Sequence, residues 1–405
     1  MKMIDRYYRG LLMLFLTALL QGCIEPYDFE AESYENIMVV EANITDEFKR
    51  QEVLLTRSFM VGYDTPMPQS ASVWVYDDSG NSYLFREVEP GRYLSLEEFA
   101  AVPNRNYRLH ITTTTGRYES HPTTLEESSP IDDLYARRTT FNGDDGVALL
   151  IDNYNPEDAA TYFRYKYEET YKIISRYFHD FDMVYEDGQF REVPKTKEER
   201  ICYNTVPSND IILAATTSLQ ENNLEGFLVR FIDSRNPIGS RRYSILLEQQ
   251  ALSPEAFTYY ETLKKLSGSD NVFSQNQPGF VTGNIYKVND PEEMVVGMFN
   301  VSSVSSKRIY FNYSDFYGPE YDRPHFTDDC DISTPPINPQ EAADNVIAFL
   351  ELGWIKYLGL SHLAGEETGV IGAIDDVGPY MFVNAECVDC TLLGTNEVPD
   401  FWEEE

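Results

Sequence analysis

Short runs of alternating apolar and polar residues dominate the chain from residue 37 onward. Residues 37–44 (Ile-Met-Val-Val-Glu-Ala-Asn-Ile), 52–57, 72–76, 82–86, 92–95 and 107–112 each have the length and β-branched or aromatic content of a strand. Asp77-Asp78-Ser79-Gly80-Asn81 between two such runs predicts a hairpin, and Pro90-Gly91 predicts a second turn. Farther along, Phe163, Tyr165, Tyr167 and Tyr171 alternate with Arg164, Lys166, Glu168, Thr170 and Lys172. That period of two gives one apolar and one wet face. Strand character continues at 147–151, 183–185, 189–191, 201–203, 210–214, 227–232, 243–249, 280–285, 294–301 and 308–313.

Two helices interrupt this pattern. Ser253 can cap, Pro254 suits a first turn, and Glu255 faces the positive helix end, which predicts a helix over 253–266. Asn338-Pro339-Gln340-Glu341 is a similar start and predicts a second helix over 339–352. The fold class expected is mainly β, with two β-sandwich-like domains, one or two packed helices and an irregular C-terminal tail. The order of the early strands resembles immunoglobulin-like or transthyretin-like modules of exported proteins. The expected domains are 36–125 and 126–330, split near Glu127-Ser128-Ser129-Pro130, followed by a tail over 331–405.

The amino terminus carries a different signal. Lys2, Arg6 and Arg9 precede the apolar run from Gly10 to Leu20, and Leu20-Gln21-Gly22-Cys23 closes it. A run of 11 residues is about half of the ~20 a bilayer-spanning helix needs. It fits the h-region of a signal peptide over residues 1–22. Cys23 directly after the small Gly22 has the form of a bacterial lipobox, so acyl chains on Cys23 are expected to anchor the mature chain. Each buried methylene contributes roughly 0.8 kcal/mol, and two or more chains hold stably. Residues 23–35 then form an acidic tether, resembling the surface-export signal of Bacteroidota lipoproteins. The expected location is the outer membrane, facing the cell surface.

Composition narrows the functions available. The chain has 405 residues and a net charge of −35, with the removed segment net positive. Such a surface repels nucleic acid and anionic headgroups. Tyrosine (29) and phenylalanine (23) are abundant, which suits β edges, and also surfaces that grip sugars or peptides. Apart from Cys23, the cysteines are Cys202, Cys330, Cys387 and Cys390, an even set in an exported chain, so disulfides are expected. Three connectivities are open. Cys387-Val-Asp-Cys390 also has the spacing of a redox or zinc pair.

No catalytic motif stands out. There is no Gly-x-Ser-x-Gly elbow, no His-Glu-x-x-His and no phosphate-cradling glycine loop. His110, His121, His179, His325 and His362 are scattered. His325-Phe-Thr-Asp328-Asp329-Cys330-Asp331 could gather oxygen ligands for calcium, but an acidic surface loop beside a disulfide is the preferred reading. No catalytic residue, metal ligand or cofactor is assigned.

Several segments in order carry a resemblance: Glu25-Pro26-Tyr27, Val39-Val40-Glu41-Ala42-Asn43-Ile44-Thr45-Asp46, Tyr243-Ser-Ile-Leu-Leu-Glu-Gln249, Phe273 to Gln277-Pro278, Gly283-Asn284-Ile285, Val296-Gly297-Met298-Phe299, Lys307-Arg308-Ile309, and Cys387-Val-Asp-Cys390 with Val398-Pro399-Asp400-Phe401-Trp402. Together they resemble the Bacteroidota envelope lipoproteins grouped as domain of unknown function 4249. The resemblance implies a lipoprotein working beside a TonB-dependent outer-membrane transporter and brings no catalytic residues. The stretch 338–359 is longer and more helical than the resemblance implies. The function expected is non-enzymatic binding of a small ligand, peptide or glycan, or an accessory role in nutrient uptake. The alternatives are an envelope hydrolase and an adhesion or structural module.

Overall fold

The computed structural model describes residues 37–58, 70–127, 129–154, 161–217, 223–267, 281, 283–337, 340–361 and 378–404. The lipobox and tether, Ser128, Phe273 to Pro278, Asn338-Pro339 and His362 lie outside these residues.

The six strands expected near the start form β1 (Met38–Thr45), β2 (Glu52–Arg57), β3 (Ser72–Asp77), β4 (Ser82–Glu89), β5 (Arg92–Ser95) and β6 (Asn106–Thr112), and two short strands that the patterning does not predict, β7 (Arg117–Ser120) and β8 (Thr123–Thr124), follow them. Then come β9 (Asp133–Phe141), β10 (Asp144–Tyr154), β11 (Tyr162–Ile174), β12 (Phe181–Glu186), β13 (Gln189–Pro194), β14 (Ile201–Pro207), β15 (Ile212–Ala215), β16 (Asn223–Asp233) and β17 (Arg242–Ala251). Helix α1 (Pro254–Ser267) is followed by β18 (Ile285–Lys287), β19 (Val295–Ser302) and β20 (Val304–Asn312). Helix α2 (Gln340–Glu351), β21 (Ile355–Leu360) and β22 (Tyr380–Asn384) complete the set. The chain is mainly β, as its patterning predicts.

The first unit is one sheet in the order β18-β7-β6-β3-β4-β5-β2-β1-β19, with β8 on β6. Alternate residues point inward, so Met38, Val40, Ala42 and Ile44 of β1 join Val53, Val73, Tyr93 and Leu109 in its core. Residues 285–302 therefore belong to this sheet, although they follow the second unit in sequence. β19 runs parallel to β1 along its whole length. Asn284 ties the sheet's two ends: its amide donates to the Phe299 carbonyl and its Oδ1 accepts from the Phe299 N–H, both at 2.8 Å. Gly283 permits this closure, because a Cβ there would lie 1.5 Å from the Gly297 carbonyl oxygen.

The second unit is a sandwich. The sheet β16-β10-β9 faces the sheet β14-β11-β17-β20, with β15 also on β11. Leu149 and Ile151 from one sheet meet Tyr165, Tyr243, Ile245 and Leu247 from the other. The two units are tightly joined, since Ser303 alone separates β19 of the first from β20 of the second. Its carbonyl accepts from Ala251 N–H at 3.1 Å, and Asp46 accepts from Val304 N–H at 2.9 Å. Ser253 caps α1 as expected, its Oγ accepting from Ala256 N–H at 3.1 Å. The helix buries Ala256, Tyr259 and Tyr260 against Leu252 of the second unit and Met298 of the first.

The C-terminal region carries β21 and β22 besides the expected helix. Tyr357 and Phe382 from this pair, with Val346 of α2, pack on Met183 of the β12–β13 hairpin. Cys330 is bonded to Cys387 and Cys202 to Cys390, with Cα separations of 5.8 and 5.7 Å. Cys387 and Cys390 thus go to different partners. The last residues then lie across the outer face of the five-stranded sheet. Tyr203 and Thr395 exchange backbone hydrogen bonds, Phe401 sits under the Arg308 guanidinium at 3.7 Å, and Trp402 packs edge-on to Tyr203.

Candidate functional site: the groove between the two units

The wet face of β11 does not simply meet water. Strand alternation turns Arg164 and Lys166 away from the sandwich core and toward β1. There Glu41, on the outer parity of β1, places Oε1 3.1 Å from Lys166 Nζ and 3.5 Å from Arg164 Nη2. Arg164 lies over the Tyr260 ring of α1 at 4.2 Å. Its Nε and Nη1 are buried with no hydrogen-bond partner among the described residues. One guanidinium therefore touches both units and the helix between them.

A cavity lies on each side of this bridge. One, about 390 Å³, is lined by Asn43, Lys49, Arg50, Glu52 and Arg92 of the first unit and by Gln250 of the second. The other, about 440 Å³, is lined by Arg164, Tyr167, Glu168, Ser208, Asp210 and Leu246. Glu41, Lys166 and Glu248 line both. These volumes fall in the ordinary range of small-ligand sites, roughly 300–1,000 Å³. The walls offer amides, hydroxyls and charges of both signs, which suits a hydroxyl-rich or zwitterionic ligand.

The two shared carboxylates are tuned in opposite directions. Burial pushes the Glu41 carboxyl up, but Lys166 and Arg164 together outweigh it and leave it below the usual glutamate value. Burial raises Glu248, and Lys49 only partly offsets it. Because the folded Glu41 value is depressed, its contribution to stability is present above the unfolded glutamate range. It is lost as pH falls through the folded value. Glu41→Gln should therefore lower stability by about 1 kcal/mol at neutral pH, the scale of a partly exposed ion pair. That deficit should vanish in acid. Melting curves of both proteins across the acid range check this; a deficit independent of pH would count against the ion pair.

Other expected residues fall elsewhere. Cys202, Cys330, Cys387 and Cys390 are structural disulfides, and Cys390 is buried in the sandwich core. His110 lies on β6, against Tyr76 and 3.6 Å from Glu119. Among the described residues, no three His, Cys, Asp or Glu side chains gather in a way that could hold a metal ion, and the loop from His325 to Asp331 is no exception. Tyr93, Tyr107, Tyr118, Tyr165, Tyr243 and Tyr357 are fully buried, so much of the tyrosine content builds cores. None of the groove residues stands in a catalytic or binding motif of the sequence. The usable signal was the run of charges on one parity of β11.

The family described as Domain of unknown function (DUF4249) matches residues 24–308. The chain belongs to this family. The match takes in the tether, the whole first sheet and the groove, and it ends within β20, before α2 and the C-terminal disulfide region of this DUF4249 chain. No curated protein matches it. Among solved structures it is similar to a DUF4785 family protein from Legionella pneumophila, at 9% identity and a TM-score of 0.17. That match covers 52% of this chain and 50% of the other, so the chain spans about half the length of that protein. A structure of manganese lipoxygenase of Gaeumannomyces graminis with partial zonadhesin of Komagataella pastoris matches at 8% identity, 55% and 90% coverage, and a TM-score of 0.15. The B domain of a biofilm associated protein matches at 8% identity, 68% and 86% coverage, and a TM-score of 0.12.

Proposed function

We propose that this DUF4249 chain is a lipid-anchored outer-membrane protein that binds a small polar ligand, a saccharide or short peptide, in the groove between its β units. In this reading it serves a TonB-dependent transporter in nutrient uptake. The observation that carries the binding role is the groove itself: two cavities of ligand size, separated by the Glu41–Lys166 bridge that joins the units. Export is supported by the two disulfides, which persist in oxidising compartments. The anchor rests on Cys23 and the apolar run before it. Affinity purification of tagged protein from mildly solubilised membranes should recover a stoichiometric TonB-dependent transporter. Recovery of the lipoprotein alone, under conditions that keep other envelope complexes intact, would remove the accessory role. Cys23→Ser should move the protein from the membrane to the soluble fraction; continued membrane attachment would refute the anchor.

A second reading is an envelope hydrolase. It draws on Glu41 and Glu248, which line the same two cavities with one carboxyl held down and the other raised. An acid and a base set apart in this way are what glycoside hydrolysis uses. Glycan turnover lost in Glu248→Gln, with binding retained, would select this reading; binding without turnover in the wild type would reject it.

A further inference from the structure

At the other end of β11 the charge pattern inverts. A cavity of about 290 Å³ opens there, lined by Lys172, Arg241, Arg242, Asn312, Arg323 and Glu404 among others. Its four cations face one carboxylate, in a chain whose net charge is −35. Glu404 is already engaged, accepting from Lys172 at 2.8 and 3.0 Å. Arg242 donates to the Glu403 carbonyl and to Asn312 Oδ1. Arg323 lies over the Tyr313 ring at 5.3 Å. Neither Arg241 nor Arg323 has a carboxylate partner within ion-pair distance among the described residues.

Two guanidiniums held near one another without a counter-charge repel. Burial, and then Arg323, push Arg241 below the usual arginine value. His325 is also held down, by burial and then by Arg176 and Arg241, with Asp328 acting the other way. In a protein this acidic, solubility does not explain a concentration of unneutralised cations around a concave space. A bound anion would remove the repulsion, and guanidinium forks match the oxygen spacing of phosphate and sulfate. Asn312 and Ser314 add neutral hydrogen-bonding groups to the wall.

We propose that this cavity is an oxyanion site, binding a phosphate or sulfate group, free or esterified to a sugar, among Arg241, Arg242 and Arg323. It is separate from the groove between the units and does not depend on how that groove functions. Titration calorimetry and thermal melting at fixed ionic strength test it, with sodium phosphate, sodium sulfate and glucose 6-phosphate as probes and sodium chloride as the control. Saturable binding and a rise in melting temperature are expected with at least one probe and not with chloride. A tenfold tighter constant for the sugar phosphate than for phosphate assigns the site to an ester; equal constants assign it to the free ion. The double variant Arg241→Gln, Arg323→Gln should lose the binding. Without ligand at low salt it should melt no lower than wild type, because a repulsion has been removed. The single variant at exposed Arg323 provides the same test with less risk to folding. No saturable binding by any probe, or binding undiminished in the variants, would overturn the proposal.

Discussion

Replacing Cys202 and Cys390 by serine is expected to lower unfolding stability by about 2–5 kcal/mol. The bond closes a loop with a sequence separation of 188, against 57 for Cys330–Cys387. Loop-closure entropy grows only with the logarithm of length, so length alone makes the first bond worth about 1 kcal/mol more than the second. Position adds to that difference. Cys390 is fully buried in the sandwich core, whereas Cys330 and Cys387 belong to a small outlying cluster. Serine hydroxyls at the first pair would be left in an apolar interior. The Cys202–Cys390 bond also holds the carboxy-terminal segment where Trp402 packs on Tyr203. Guanidinium denaturation with and without reductant, followed by tryptophan fluorescence, gives the measurement. A larger midpoint shift is expected for the Cys202, Cys390 variant than for Cys330→Ser with Cys387→Ser. Equal midpoints for the wild type and the first variant would mean that the bond does not constrain the unfolded chain.

Local features were legible in the sequence because local physics determines them. The alternating parity of β11 separated core from outer face, and Ser253-Pro254 marked the cap and first turn of α1. The even cysteine count predicts disulfides but leaves three pairings open, because the choice among them depends on segments distant in sequence. Pairing between distant segments leaves no mark in periodicity. Nothing in residues 285–302 says that they return to β1, since an inward–outward pattern is the same whichever sheet a strand joins. The Gly283-Asn284 and Val296-Gly297 motifs acquire a physical reason only in the folded sheet, where they close its two ends on each other. The groove was hidden for a related cause. Arg164 and Lys166 read as solvent-facing, yet the face opposite a core can meet a second unit instead of water. The aromatic end, Phe401-Trp402, read as part of a tail and in fact covers the outside of the five-stranded sheet.

One inward position of β11 breaks its own pattern, and its removal should be costly. Glu169 shares the parity of Tyr167 and Tyr171 and is buried. Arg230 on β16 reaches it from the facing sheet with two contacts, Nε to Oε2 at 3.2 Å and Nη2 to Oε1 at 3.3 Å. The Tyr243 hydroxyl donates to Oε2 at 2.6 Å. Burial, with Glu169 beside it, keeps the Tyr243 pKa well above the usual value, so that hydroxyl remains a donor. Glu169→Ala would leave a largely buried guanidinium and a buried hydroxyl without their acceptor. Breaking one side of a buried pair costs about 3–5 kcal/mol. The Arg230 side chain is 26% exposed and can recruit some water, so the lower end, about 3 kcal/mol, is expected. The pair is not thereby a net source of stability, because desolvating both charges offsets most of their attraction. Glu169→Leu combined with Arg230→Met should accordingly cost much less than either single change. A double-mutant cycle from urea denaturation measures the difference directly. Additive single costs would show that the two charges, although joined across the sandwich, do not act as a pair; strong coupling would show that they hold the two sheets in register at this point.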